Sequence, residues 1–127
     1  MAKGNILIVD DDRDLVDTLR TVLESAGYQV SSAGSRAEGW QKAQQSPPDL
    51  AIIDVMMGTE VEGFQLTYDF RRDEKLKAVP IVMLTAINQR LPYGFSLDKD
   101  REFLPVDRFL EKPVEPQVLL KEVEKLL

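Results

Sequence analysis

The chain has 127 residues, 43% of them hydrophobic, and 22 acidic side chains against 16 basic ones give it a net charge of -6; this suits one globular domain rather than two and argues against general nucleic-acid binding. It contains neither Cys nor His, which removes disulfides, thiolate chemistry, Ser-His-Asp catalysis, imidazole acid-base work and the usual zinc sites, so that any metal must be held by oxygen ligands, as Mg²⁺, Mn²⁺ or Ca²⁺ are. Met1 to Asn5 is too short before a core strand to be a signal peptide, and no apolar run approaches a membrane span, so a soluble cytoplasmic protein is the expectation.

Ile6-Leu7-Ile8-Val9 is a continuous apolar run, the pattern of a strand buried on both faces, and it ends in Asp10-Asp11-Asp12. From Arg13 the period changes to helical, with Leu15, Val16, Leu19, Val22, Leu23 and Ala26 on one stripe and Gly27 as the stop. Gln29 to Ala33 is short and polar, as an edge strand is. Ser35 is placed to cap a second helix with Glu38 at the capping-box position, and Ala37, Trp40 and Ala43 are expected to line its buried side. Leu50-Ala51-Ile52-Ile53 is the most apolar strand and so the central one, and Asp54 follows at once. After the loop Gly58 to Gly63, a third helix begins near Gly63 or Phe64, with Leu66, Thr67 and Phe70 inward, and ends in a charged turn, Arg71 to Lys77. Val79 to Leu84 reads as the fourth strand, with Pro80 tolerable only at its start and Thr85-Ala86 at its end. Residues 87–107, interrupted by Pro92, Gly94 and Pro105, read as a long loop with at most a short helix from Asp98 to Phe103. Arg108 to Glu111 is the fifth strand, closed by Lys112-Pro113, and Val118, Leu119, Val123, Leu126 and Leu127 mark a last helix from about Glu115.

Strands alternating with helices predict an α/β fold: a doubly wound parallel sheet of five strands with helices on both faces. The polar second strand belongs at an edge, which fits the order 2-1-3-4-5. In such a sheet the carboxyl ends of all strands lie on one edge. Asp10 and Asp11, Asp54, Thr85 and Lys112 each stand at a strand end and therefore converge around the central strand. Taken singly, each has a bland reading: Asp10 to Asp12 as helix caps, Asp54 as a loop start, Thr85 as a turn residue, Lys112 as a surface lysine. Together they form a specific electrostatic problem. Each pair of carboxylates at about 4 Å repels by ~1 kcal/mol in water and ~4 kcal/mol at an effective dielectric of about 20. Unless one is protonated, the cluster calls for a cation. A hard divalent ion, an ammonium and a hydroxyl around a carboxylate are the parts needed for phosphoryl transfer onto that carboxylate.

The motifs Ile6-Leu-Ile-Val-Asp10-Asp11-Asp12, Asp49-Leu-Ala-Ile-Ile-Asp54-Val-Met-Met, Leu84-Thr85-Ala86 and Phe109-Leu-Glu-Lys112-Pro113 together resemble the receiver domain of two-component response regulators, over essentially the whole chain. The resemblance implies a single receiver domain spanning 1–127 with a flavodoxin-like fold. The strand order is the family's own and so is not an independent result. It further implies that Asp54 is the phosphoacceptor, that Asp11 and Asp54 bind Mg²⁺ (or Mn²⁺) together with the backbone carbonyl of Met56, and that Asp10 supports the ion through water. Thr85 and Lys112 would contact phosphoryl oxygens, Thr85 and Phe109 would form the switch, and the Lys112-Pro113 bond would be cis. The implied donor is a histidine kinase or histidine phosphotransfer protein. The implied output is an unknown downstream protein, bound through the face that the family builds from helix 4, strand 5 and helix 5. Neither a membrane nor direct nucleic-acid contact by this domain is expected. Such a chain is a signalling switch that promotes its own phosphorylation and dephosphorylation rather than an enzyme acting on other substrates.

The sequence departs from the family pattern in two places. Gly58 stands where Pro is usual, in a loop one residue longer, and the segment between Thr85 and Lys112 is longer and lacks the familiar Gly-Ala-Asp-Asp-Tyr run. The resemblance implies that the residues two after the phosphoacceptor and two after the Thr flank the path of an attacking water; here they are Met56 and Ile87, neither of which can orient a water, and slow self-dephosphorylation is expected. The alternatives are a constitutive protein-binding module of receiver fold without phosphorylation, and a metal-dependent phosphatase with an Asp nucleophile. The phosphatase would need a second Asp close after the first, where Val55-Met56 supplies none. No DNA-binding domain follows the last helix within this sequence, so either a stand-alone regulator or the receiver part of a longer one is expected.

Overall fold

Alternation within the apolar runs decides which side chain faces which layer. In the computed structural model, which describes residues 3–55, 62–86 and 106–127, five strands form one parallel sheet: β1 (Asn5–Val9), β2 (Gln29–Ala33), β3 (Leu50–Asp54), β4 (Ile81–Ala86) and β5 (Arg108–Lys112). Their order is β2-β1-β3-β4-β5. Leu7, Val9, Ala51, Ile53, Ile81 and Met83 face one layer, with α2 (Arg36–Gln45) and α3 (Glu62–Arg72). Ile6, Ile8, Leu50, Ile52, Val82 and Leu84 face the other, with α1 (Arg13–Ser25) and the last helix, here α4 (Pro116–Leu126). Both faces are covered, so the central strands carry no polar positions until they emerge at their carboxyl ends. The fold is the doubly wound, flavodoxin-like one expected.

Local chemistry sets the helix ends. Asp12 caps α1 by accepting from the Leu15 N–H at 3.1 Å. Gly27, at φ 103°, takes the left-handed turn that leads into β2. Ser35 caps α2 by accepting from the Glu38 N–H at 3.2 Å, while the Glu38 carboxylate reaches back to the Gly34 N–H at 2.6 Å. A bidentate pair, Arg36 to Asp69 at 2.8 and 3.0 Å, joins α2 to α3.

Four details correct the sequence expectation. Ala37 is exposed; the buried positions of α2 are Gly39 and Ala43, with Trp40 only partly covered. The reason is close approach: a Cβ at Gly39 would meet Leu66 and Val9 side chains at 3.0 Å, so the helix turns its smallest residue to the core. Val118 on the last helix and Leu127, which caps it, are exposed; α4 buries only Leu119 and Val123 fully. The fourth strand begins after Pro80, at Ile81, and includes Thr85 and Ala86. The third helix starts at Glu62, a residue or two before the expected start. The proposed helix from Asp98 to Phe103 and the loop departures around Gly58 lie outside the described residues.

Candidate functional site

The three consecutive aspartates after β1 separate into three environments. The Asp10 N–H donates to the Ala33 carbonyl at 3.0 Å, so the backbone continues the ladder one residue past the strand. The Asp10 side chain is buried, and its Oδ1 accepts from the Asp12 N–H at 2.9 Å. Asp11 is exposed above the sheet edge, and Asp12 is occupied in capping α1. Both bland and chemical readings of this triplet therefore hold, for different members.

Asp54 is the last residue of β3 and only 2% exposed. The backbone beyond it is fixed on two sides: the Val55 N–H donates to the Leu84 carbonyl at 2.8 Å, and the Val55 carbonyl accepts from the Gly63 N–H at 3.1 Å. Gly63 thus brings the start of α3 against the end of β3. A Cβ there would lie 1.5 Å from the Asp54 carbonyl oxygen, so only glycine fits. The sequence offered only a glycine near a helix start as a signal for this role.

Lys112 ends β5 and spans the cluster. Its Nζ lies 2.9 Å from Asp10 Oδ2 and 3.3 Å from Asp54 Oδ2. The Lys112-Pro113 bond is cis, as expected. Carboxylate oxygens of Asp10, Asp11 and Asp54 all lie within 4.8 Å of one another. Among the described residues, Asp54 Oδ1 and Thr85 Oγ1 are buried with no hydrogen-bond partner. Such orphans are rare in folded proteins and each costs roughly 1–3 kcal/mol. Thr85 sits on β4 next to Leu84, the residue in register with Asp54. Phe109 is the second residue of β5, partly buried against the α2–α3 side of the core rather than in the acidic cluster. Met56, whose carbonyl was expected to join the metal ligands, and Ile87 lie outside the described residues.

Burial dominates the electrostatics. It pushes Asp54 up from 3.8 to about 7, with the neighbouring Asp10 charge adding to the rise and Lys112 opposing it. Burial also raises Asp10, against the Asp12 N–H and Lys112. Desolvation works against the Lys112 ammonium, but its contacts with Asp10 and the charge of Asp54 outweigh that and raise its pKa. A site in which one carboxylate holds a proton near neutrality for want of positive charge is suited to a cation. Its donors are all carboxylate oxygens, the set that Mg²⁺ and Mn²⁺ take.

Two hollows open on the described surface. A groove of about 710 Å³ between α2 and α3 is lined by Arg36, Trp40, Asp69 and Arg72. A second, of about 640 Å³, opens beside Asp10 and Asp11 toward Arg13, Ser32 and Lys42. None of Asp10, Asp11, Asp54, Thr85 and Lys112 lines the first. Among the described residues, no helix is long and apolar enough to cross a membrane.

Comparison with known proteins agrees with this geometry. The family model described as "Response regulator receiver domain" matches residues 6–124. The transcriptional regulatory protein GltR of Pseudomonas aeruginosa is 37% identical over 123 residues, covering 97% of this chain and 48% of that protein. Protein PilH of the same organism is 30% identical over 124 residues, covering 98% of each. The solved structure of the chemotaxis response regulator CheY4 of Vibrio cholerae superimposes with a TM-score of 0.83 at 30% identity, covering 100% of this chain and 99% of that one. The chain spans about half the length of several of the curated relatives it matches. A sheet edge carrying Asp10, Asp11, Asp54, Thr85 and Lys112, and a family match over nearly its whole length, place this chain in the response regulator receiver domain family of two-component signalling.

Proposed function

We propose that the chain is one receiver domain that accepts a phosphoryl group on Asp54 and passes the signal on by changing a partner-binding surface. The observation that carries this reading is the state of Asp54: buried at the end of the central strand, one oxygen held by Lys112, the other with no partner among the described residues. A carboxylate oxygen of Asp54 attacks the phosphorus of a phosphohistidine on a histidine kinase or histidine phosphotransfer protein. The new P–O bond forms as the P–N bond breaks, and the imidazole, already protonated on its other nitrogen, leaves as the neutral ring. A lysine that already touches the nucleophile needs no reorganisation to meet a phosphoryl oxygen, and the unsatisfied Thr85 hydroxyl would donate to another. Asp11 and Asp54, with the Met56 carbonyl, would hold Mg²⁺ or Mn²⁺; when bound, the ion supplies positive charge to the phosphoryl oxygens. Asp10 accepts from the Asp12 N–H through Oδ1 and is ion-paired with Lys112 through Oδ2, which suits an indirect role toward the ion. The inward draw of Thr85 would open space for Phe109 and alter the face formed by β5 and α4, where a downstream protein binds. The domain is a switch of the cytoplasm rather than an enzyme with a turnover substrate.

Incubation with acetyl phosphate and Mg²⁺ tests the reading. A stable stoichiometric label supports it. No label would leave a constitutive binding module, and continuous release of phosphate would indicate a phosphatase.

Two results follow for the metal. Asp11→Ala should weaken Mg²⁺ binding more than Asp10→Ala, because a direct ligand loses more than one acting at second hand; equal losses in a calorimetric or fluorescence titration would reverse the roles. Affinity should also depend on pH with a definite sign. The proton on Asp54, held up to about pH 7, must leave before the ion binds. Apparent affinity should therefore fall roughly tenfold from pH 8 to pH 6. A flat profile would contradict the involvement of Asp54.

A further inference from the structure

We propose that Asp107 is a positioning residue for Lys112: it pins the register of β5, and that register sets the ammonium against Asp10 and Asp54. The functional half of this inference rests on the phosphoryl-acceptor reading above. Among the described residues β5 is an edge strand, hydrogen-bonded to β4 alone within the sheet, and Phe109 and Leu110 on it are only partly buried. Its side chains therefore hold it in place less firmly than those of β1 or β3 hold theirs. A strand of that kind is prone to slip, and a slip of one residue turns every side chain to the opposite face. Lys112 would then leave the carboxylates altogether.

What opposes the slip stands at the other end of the strand. The Asp107 carboxylate accepts from the Ile81 N–H at 2.8 Å, while the Asp107 N–H donates to the Ile81 carbonyl at 2.9 Å. One residue thus closes both backbone groups of Ile81, the first residue of β4, just ahead of the regular pairing Val82 with Arg108. The same oxygen, Oδ2, is met by Arg71 of α3 at 3.1 Å. Arg71 in turn donates to the carbonyls of Lys77 and Val79, at 3.0 and 2.7 Å, in the chain leading to β4. The end of α3, the start of β4 and the start of β5 are fastened at one point. The strand is then held at two ends, by Asp107 at its entry and by the Lys112 ion pairs at its exit. Because the start of α3 packs on the Asp54 carbonyl through Gly63, the same helix bears on both ends of the arrangement.

The test compares phosphorylation rates with acetyl phosphate and Mg²⁺ for the wild type, Asp107→Ala, Asp107→Asn, Lys112→Ala and the double variant Asp107→Ala with Lys112→Ala. Asp107→Ala should slow labelling by about tenfold, since small misplacements of a catalytic group are costly. Asp107→Asn, which keeps an oxygen for the Ile81 N–H, should stay within about threefold of wild type. In the Lys112→Ala background the Asp107→Ala change should cost almost nothing, because what it misplaces is already gone. An equal loss in both backgrounds would show a merely structural role and overturn the proposal. A second readout needs no phosphate: the Lys112 side-chain NMR signal, identified by its absence in Lys112→Arg, should move toward that of an exposed lysine in Asp107→Ala. An unmoved signal overturns the proposal too. If the wild type takes up no label, the phosphoryl-acceptor reading fails, and the positioning of Lys112 is decided by that signal. Should Asp107→Ala not fold, Arg71→Gln, which releases the outer half of the clasp, carries the same comparisons.

Discussion

Asp54→Asn is expected to stabilise the metal-free protein at pH 8 by about 2–4 kcal/mol. The folded state holds the Asp54 proton to about pH 7, against 3.8 for an ordinary aspartate. A carboxyl whose pKa is raised by folding binds its proton more tightly in the native state, so native stability falls as pH rises from about 4 to about 7 and is level beyond. At 1.36 kcal/mol per unit the difference sets an upper limit of about 4 kcal/mol. The realised gain is smaller because Asp10 and Lys112 share the cluster and readjust. Asn has nearly the same shape and never ionises. Its advantage should be absent near pH 4, grow through neutrality and remain constant above it. In a chain of this size it amounts to an increase in Tm of about 10 °C. Saturating Mg²⁺ should shrink the difference, because the ion supplies the charge that Asp54 lacks. Thermal melts of both proteins at pH 4, 6 and 8, with and without the ion, decide it; a gain independent of pH would mean that burial of a charged Asp54 is not what destabilises the site.

Gly63→Ala should have an effect of comparable size and opposite sign. The added carbon would stand 1.5 Å from the Asp54 carbonyl oxygen, 2.6 Å from its carbon and 2.8 Å from the Val55 oxygen. All three are backbone atoms at the end of the central strand, so no side-chain rotation relieves the clash. The start of α3 must move away, and the hydrogen bond from the Gly63 N–H to Val55 breaks with it. Overpacking costs typically ~1–3 kcal/mol, and more where backbone cannot yield. We expect a loss of about 3 kcal/mol or more in urea unfolding, with reduced labelling of whatever fraction folds. Gly34→Ala is the control, since nothing lies within 4 Å of a carbon added there. Equal stability of the two variants would contradict the tight seating of α3 on β3.

Continuous apolar runs made the sheet legible in the sequence, because a strand buried on both faces leaves no polar gap. Asp10 and Asp54 were legible for a related reason: a polar residue directly after such a run must lie at the sheet edge, and a parallel sheet puts those edges together, which brings Lys112 at the end of the short fifth strand to the same place. Thr85 was found as the end of β4, though it lies within the strand rather than after it. What could not be read depends on distance between elements. The exposure of Ala37 and burial of Gly39 follow from how closely α2 approaches Val9 and Leu66, which no helical period reports. Val118 of α4 stands in solvent although its spacing is that of a buried residue. Asp107 falls at the end of the stretch read as a long loop, and its role rests on contacts with Ile81 and Arg71, far away in sequence. The split of Asp10, Asp11 and Asp12 into a buried support, an exposed carboxylate and a helix cap is likewise a matter of backbone direction that three identical letters conceal.

Mapping the site of modification tests the central claim most directly. Wild type and Asp54→Asn are treated with acetyl phosphate and Mg²⁺, digested under conditions that preserve acyl phosphates, and compared by mass spectrometry. A single phosphoryl group on Asp54 of the wild type, absent when Mg²⁺ is chelated and absent from Asp54→Asn, is the expected result. A label of equal extent in Asp54→Asn, or one located on another residue of the wild type, would contradict it.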